Sequence, residues 1–136
     1  MEKIVEDFLK ESGAKYYPQM YLEDIEKRCR LDLSPISSGG TSTKKFDFVV
    51  EGKDKIYALE TNFYTSGGSK LNKTARSYKL LAEKARNISG FVFVWITDGE
   101  GWKNAKHNLE DAFMTIRYMY NIADLENRVL ASLFNR

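Results

Sequence analysis

FDFVVEGKDKIYALETNF, residues 46–63, decides the fold. Two runs rich in Phe, Val, Ile and Tyr flank Glu51-Gly52-Lys53-Asp54-Lys55, a short polar segment with a glycine, which is the pattern of two antiparallel strands joined by a hairpin loop. Polar side chains interrupt the apolar text at Asp47 and at Glu60 and Asn62. Side-chain direction in a strand repeats every two residues, so Glu60 and Asn62 share one face. Pairing of the two strands brings Asp47 towards Glu60 at one end of the sheet.

Outward from the hairpin, Leu71, Ala75, Tyr78, Ala82 and Ala85 step by three and four and predict a helix over 69–87. Residues 90–97, GFVFVWIT, are a continuous apolar run bounded by glycines, as in a central strand covered on both faces. Leu109, Ala112, Phe113 and Ile116 mark a further helix, 117–120 a short strand, and Leu125, Val129, Leu130 and Leu133 one closing helix. Towards the N-terminus, Ile4, Val5, Phe8 and Leu9 predict a helix ending at Gly13, and Leu22, Ile25 and Cys29 predict another over 21–30 after Pro18. The Ser/Pro/Gly-rich segment 34–43 reads as a loop. The expected order is helix, helix, hairpin, helix, strand, helix, short strand, helix. This is an α/β fold with a mixed central sheet, an antiparallel hairpin and helices on both faces. A single domain over 1–136 is expected, with leading helices in 1–33 and the main core in 44–136.

Composition removes several function classes. A chain of 136 residues, 43% hydrophobic and 29% charged, is an ordinary ordered protein with no apolar run approaching a membrane span. The charged start and the single Cys29, which has no internal partner, lead us to expect a cytoplasmic protein. His107 is the only histidine, so a Ser/His/Asp triad, a histidine-based nuclease pair and a zinc cluster with Cys29 are disfavoured. Gly67-Gly68 and Gly99-x-Gly101 are too short for phosphate-binding fingerprints and read as turns; Trp95 and Trp102 read as packing residues. A net charge of +2 makes no case for nucleic acid unless the charges are clustered.

The hairpin carboxylates make the chemical case. Two acids so placed repel unless a cation lies between them, and a hard ion such as Mg²⁺ is held by one or two carboxylates with water and substrate phosphate. Asp47 and Glu60 are therefore the expected metal ligands, with the Thr61 carbonyl as a further oxygen. On the helix that follows, Lys70, Lys73, Arg76 and Lys79 recur every three residues as a basic ridge opposite the core stripe, suited to tracking phosphates. Lys44 and Lys45 add charge at the start of the hairpin. Phosphate contacts carry no sequence information, so base reading falls to the 34–45 loop and the 97–102 turn.

The arrangement Asp, gap, Glu-x-Asn resembles the motif of the PD-(D/E)XK nucleases, with Asn62 in the lysine position. The text around it is more specific. KKFDFVV (44–50), ETNFYTSGGSKLN (60–72), ARSYKLLAEKA (75–85), FVWITDGEGW (93–102) and YNIADLEN (120–127) resemble the DpnII/MboI type of type II restriction endonuclease from about Tyr21 onward. Members of that family are considerably longer, so the likeness is mainly to their C-terminal catalytic part. The resemblance implies a restriction-endonuclease-like fold, with Mg²⁺ as cofactor and Mn²⁺ able to substitute, and cleavage of double-stranded DNA at unmethylated GATC by a homodimer. It also implies that Asn62 stands where a lysine orients the attacking water. An amide brings no positive charge there, and Lys70, at the start of the basic helix, is the expected substitute. Two other readings compete: a DNA-binding module of the same fold that does not cut, and a structural domain of a larger enzyme.

Overall fold

A computed structural model describes residues 1–37 and 44–135. Its centre is a five-stranded sheet of order β1-β2-β3-β4-β5, formed by Lys15–Tyr21, Lys45–Glu51, Ile56–Phe63, Phe91–Asp98 and Met119–Tyr120. β1, β2 and β3 are antiparallel neighbours, whereas β4 and β5 join in parallel. The helices are α1 (Glu2–Ser12), α2 (Leu22–Cys29), α3 (Ser69–Ala85), α4 (Lys106–Thr115), α5 (Ile122–Glu126) and α6 (Val129–Phe134). The mixed sheet expected from the hairpin and its crossovers is present.

Each face of the sheet has its own core. On one side α2, α3 and α4 deliver Leu22, Ile25, Leu71, Ala75, Ala82 and Ala112 against Ala58, Phe93 and Trp95. On the other, α1, α5 and α6 deliver Val5, Leu9, Leu125, Leu130 and Leu133 against Tyr57, Leu59 and Val94. β4 lies in the middle and is buried on both faces from Phe91 to Thr97, which explains its unbroken apolar text. Trp95 is fully buried, packed edge to face with Tyr78 at 4.9 Å and Trp102 at 5.5 Å. Such pairs contribute about 0.5–1.5 kcal/mol beyond the area they bury.

Two expectations are corrected. The leading helices are separated by β1, which joins the sheet as its outer strand; Pro18 marks no boundary but sits inside that strand, where an edge tolerates the missing N–H. Its half-exposed tyrosines lack the alternation by which a strand is recognised. The closing helix is two helices, broken at Arg128, whose φ is +61°. Leu130, Leu133 and Phe134 are buried against the sheet. Tyr57 Oη donates to the Leu133 carbonyl at 3.0 Å, tying α6 to β3. Among the described residues no helix is long and apolar enough to cross a membrane.

Candidate active site

β2 and β3 pair in register from Glu51↔Ile56 to Phe48↔Leu59. Beyond that point β3 runs on to Phe63 in contact with β4, while β2 stays with β1 as far as Tyr21↔Lys45. The two hairpin strands therefore part at Asp47 and Glu60. The cause lies in β1 and β2: their register holds on both sides of Gln19 and Asp47 but skips that pair, and Gln19 takes φ +52°. Phe48 packs in the α1 side core and Phe46, only two residues away, in the α3 side core. A regular strand would put them on one face, so β2 turns about its own axis at Asp47.

The wedge so opened is closed by the Asp47 side chain. One carboxylate oxygen accepts from the Thr61 backbone N–H at 2.9 Å and from the Thr61 hydroxyl at 3.1 Å, the former replacing a ladder bond from β2. Asp47 also lies close enough to Glu60 and to Glu2 on α1 for its charge to act on both carboxyls. Glu2 accepts in addition from Gln19 Nε2 at 2.9 Å, and its carboxyl is raised by burial and then by the Asp47 charge.

Glu60 points to the α3 side of the sheet with Ala58 and is only 5% exposed. Tyr78 Oη donates to its Oε2 at 3.2 Å. Its Oε1 meets the Lys44 ammonium at 2.5 Å, a close ion pair. Burial pushes the Glu60 carboxyl up to about 7; Lys44 acts against the rise and Asp47 adds to it. Burial and the Glu60 charge together push the Tyr78 phenol well above its usual range. Asn62, next on the same face, accepts at Oδ1 from Trp95 Nε1 at 2.7 Å. An indole N–H can only donate, so the amide oxygen must face Trp95 and the amide NH₂ must face away from it.

The donor set suits a hard cation. Two adjacent carboxylates are what Mg²⁺ takes from a protein when it keeps water and substrate oxygens in its remaining positions. A buried carboxylate that already attracts an ammonium fits the same ion. Among the described residues no group of three His, Cys, Asp or Glu is arranged to hold one metal, so Glu2 stands beside the pair rather than completing a cage.

The basic residues separate into two groups. Lys44 is at the carboxylates, while Lys45 is exposed with its ammonium 5.8 Å from the centre of the Tyr21 ring. Lys70, Lys73 and Arg76 are exposed along α3. Lys79, the last member of the ridge, is tied to Asp111 of α4. The cation in contact with Glu60 is Lys44; Lys70, the expected substitute for the lysine charge, is exposed in the first turn of α3. Of the expected reading segments, 38–43 lies outside the described residues. The 97–102 turn is packed: Trp102 Nε1 donates to Thr97 Oγ1 at 2.9 Å, and Gly99, at φ +117°, lies so close to Tyr64 that a Cβ would fall 2.1 Å from its carbonyl oxygen. Within the turn Glu100 alone is exposed, and Lys103 and Asn104 follow it as exposed polar residues.

Glu2, Tyr78 and Trp95 were not singled out as site residues by sequence. Tyr78 and Trp95 are legible there only as core positions, and Glu2 is one acid among several on a polar helix face.

Comparison with known proteins identifies the family. The sequence profile described as "DpnII restriction endonuclease" matches residues 1–132. The chain is 42% identical over 137 residues to the type II restriction enzyme DpnII of Streptococcus pneumoniae, covering 98% of this chain and 48% of that enzyme. It is 51% identical over 90 residues to the type II restriction enzyme MboI of Moraxella bovis, covering 66% and 32%. With the type II restriction enzyme MjaIII of Methanocaldococcus jannaschii it shares 32% over 140 residues, covering 100% and 47%. The chain thus spans about half or less of the length of each of these relatives.

Proposed function

Because the chain belongs to the DpnII restriction endonuclease family, we propose that it is the metal-dependent catalytic unit of an endonuclease acting on double-stranded DNA at unmethylated GATC. The observation that carries this reading is the meeting of the Asp47 and Glu60 carboxylates where β2 leaves β3. Mg²⁺, or Mn²⁺ in its place, is the ion such a pair would hold. When bound, it activates a water for attack on the phosphodiester and neutralises charge developing on the phosphate.

The protein groups have separable tasks. Asp47 is held by two donors from Thr61, which fix one oxygen and leave the other for the ion. In a strand, the N–H and C=O of one residue point to the same edge. Since the Thr61 N–H meets Asp47, its carbonyl is directed into the same wedge and is the third oxygen ligand. Glu60 is the second carboxylate, steadied by Tyr78. Asn62, its oxygen fixed by Trp95, presents an N–H donor to a water or a phosphate oxygen. Lys45, Lys70, Lys73 and Arg76 follow the DNA backbone, with Lys79 joining only if it exchanges Asp111 for a phosphate. Cutting both strands of a two-fold symmetric site calls for two such units, hence a homodimer. The free Cys29 thiol is in keeping with work in the cytoplasm.

A second reading, a DNA-binding module that does not cut, is favoured by the uncharged Asn62. Incubation of GATC duplexes with Mg²⁺, comparing the natural chain with Glu60→Ala, separates the two. Cleavage by the natural chain alone supports the endonuclease; sequence-selective retention without cleavage by either supports the module.

A further inference from the structure

Asn62 leaves the site one positive charge short, and its amide oxygen is already engaged by Trp95. The structure contains an ammonium at the same carboxylate, arriving from the residue that leads into β2. Lys44 Nζ lies 2.5 Å from Glu60 Oε1, 5.2 Å from the centre of the Phe46 ring and 5.4 Å from that of Tyr78. Two aromatic faces thus flank the cation and help hold it where the carboxylate is.

The twist of β2 explains how Lys44 gets there. Lys44 and Phe46 are two residues apart and so share a side of the strand. Were β2 regular through Asp47, that side would be the α1 side, where Phe48 packs. The turn at Asp47 moves it to the α3 side, where Glu60 stands. The Lys44 carbonyl accepts from the Leu22 N–H at 2.9 Å, so the start of the strand is tied to α2. The pair is also directional: the Lys44 side chain is 31% exposed and that of Glu60 6%. The ammonium belongs to the more exposed member of the pair, and so is the group a phosphate can reach more readily.

Building on the endonuclease reading above, we infer that Lys44 is the catalytic cation of this site, filling from the start of β2 the role for which Asn62 lacks the charge. It holds the attacking water beside Glu60 and stabilises negative charge as it grows on the phosphate. An ammonium placed at developing charge contributes by being stronger in the transition state than in the ground state.

The test uses the full chain and its Lys44→Ala and Lys44→Arg variants, each measured for single-turnover cleavage of a GATC duplex in Mg²⁺, for retention of the same duplex in Ca²⁺, and for thermal unfolding. The expected result for Lys44→Ala is a fall in cleavage rate of about a hundredfold or more, with retention and unfolding temperature close to those of the natural chain. Added ethylamine should restore part of the rate and ethanol none. Lys44→Arg should cut faster than Lys44→Ala. Undiminished cleavage by Lys44→Ala overturns the inference, as does a loss no greater than the loss of DNA retention, which marks a phosphate contact. A loss that follows lowered thermal stability and ignores ethylamine marks a structural ion pair and overturns it too. If the natural chain cuts nothing, the endonuclease reading itself falls and takes this inference with it.

Discussion

Thr61 donates twice to one oxygen of Asp47, from its backbone N–H at 2.9 Å and its hydroxyl at 3.1 Å. That carboxylate does the work of a missing strand partner: where β2 turns away, the side chain supplies the acceptor that the next β2 carbonyl would have offered. The site acid is thus fixed by the fold's own hydrogen bonding. The carboxylate spacing on which the proposed metal binding depends is set by the strand divergence.

Replacement of Asp47 should therefore separate structure from chemistry. Asp47→Ala leaves the Thr61 N–H without its acceptor and should lower unfolding stability by about 1–3 kcal/mol. Asp47→Asn keeps an acceptor oxygen there and should cost less. Both variants should lose Mg²⁺-dependent cleavage, because neither offers the second carboxylate. Urea unfolding and a cleavage assay on the same preparations check the pair; equal stability of the two variants would contradict the account.

Glu60 should make the metal-free chain more stable in mild acid. Its carboxyl is raised from 4.5 to about 7 in the folded protein, so the native state binds this proton more tightly than the unfolded chain. The contribution is complete below about pH 4.5 and is lost as pH rises through about 7. The gap amounts to roughly 3 kcal/mol. Urea unfolding at pH 5 and pH 8 should show stability falling with pH in the natural chain, with this component absent from Glu60→Gln. Since a cation and a proton compete for the same oxygens, Mg²⁺ binding should tighten over the same interval.

How much of this was legible in the sequence follows from how local each feature is. The hairpin, β4 and the buried stripe of α3 depend on periodicity within one segment, and they stand where that periodicity puts them. β1 was missed because a half-exposed edge strand containing proline shows neither alternation nor an apolar run. Asp47 and Glu60 stood out as acids in apolar strands. The position of Lys44 depends on a twist shared by Gln19 and Asp47 across two strands, and nothing in residues 44–47 alone announces it. The indole of Trp95, which orients Asn62 from the neighbouring strand, is likewise visible only once the register is known.

Restoring the common lysine should not help. Asn62→Lys removes the acceptor of a fully buried indole, and a buried donor left without a partner costs about 1–3 kcal/mol. The new ammonium would also crowd a site that already holds Lys44. The expected outcome is a less stable protein that cuts no faster than the natural chain. A gain in single-turnover rate would mean that Lys44 does not supply the charge.

Along α3 the DNA contacts should be graded by how free each cation is to meet a phosphate. Lys73 and Arg76 are exposed, and each phosphate they neutralise releases condensed counterions, so the affinity of the natural chain should fall steeply with salt. Lys73→Ala and Arg76→Ala should each lower the slope of log affinity against log salt by about one, weakening GATC and unrelated duplexes alike. Lys79 differs because it is hydrogen-bonded to Asp111, whose carboxyl it holds below the usual range. Binding DNA through Lys79 means giving up that partner, so Lys79→Ala should change the slope less than either neighbour, and Asp111→Ala, which releases the ammonium, should steepen it. Duplex retention in Ca²⁺ over a range of salt concentrations measures all four variants, and equal slopes across them would remove α3 from the DNA interface.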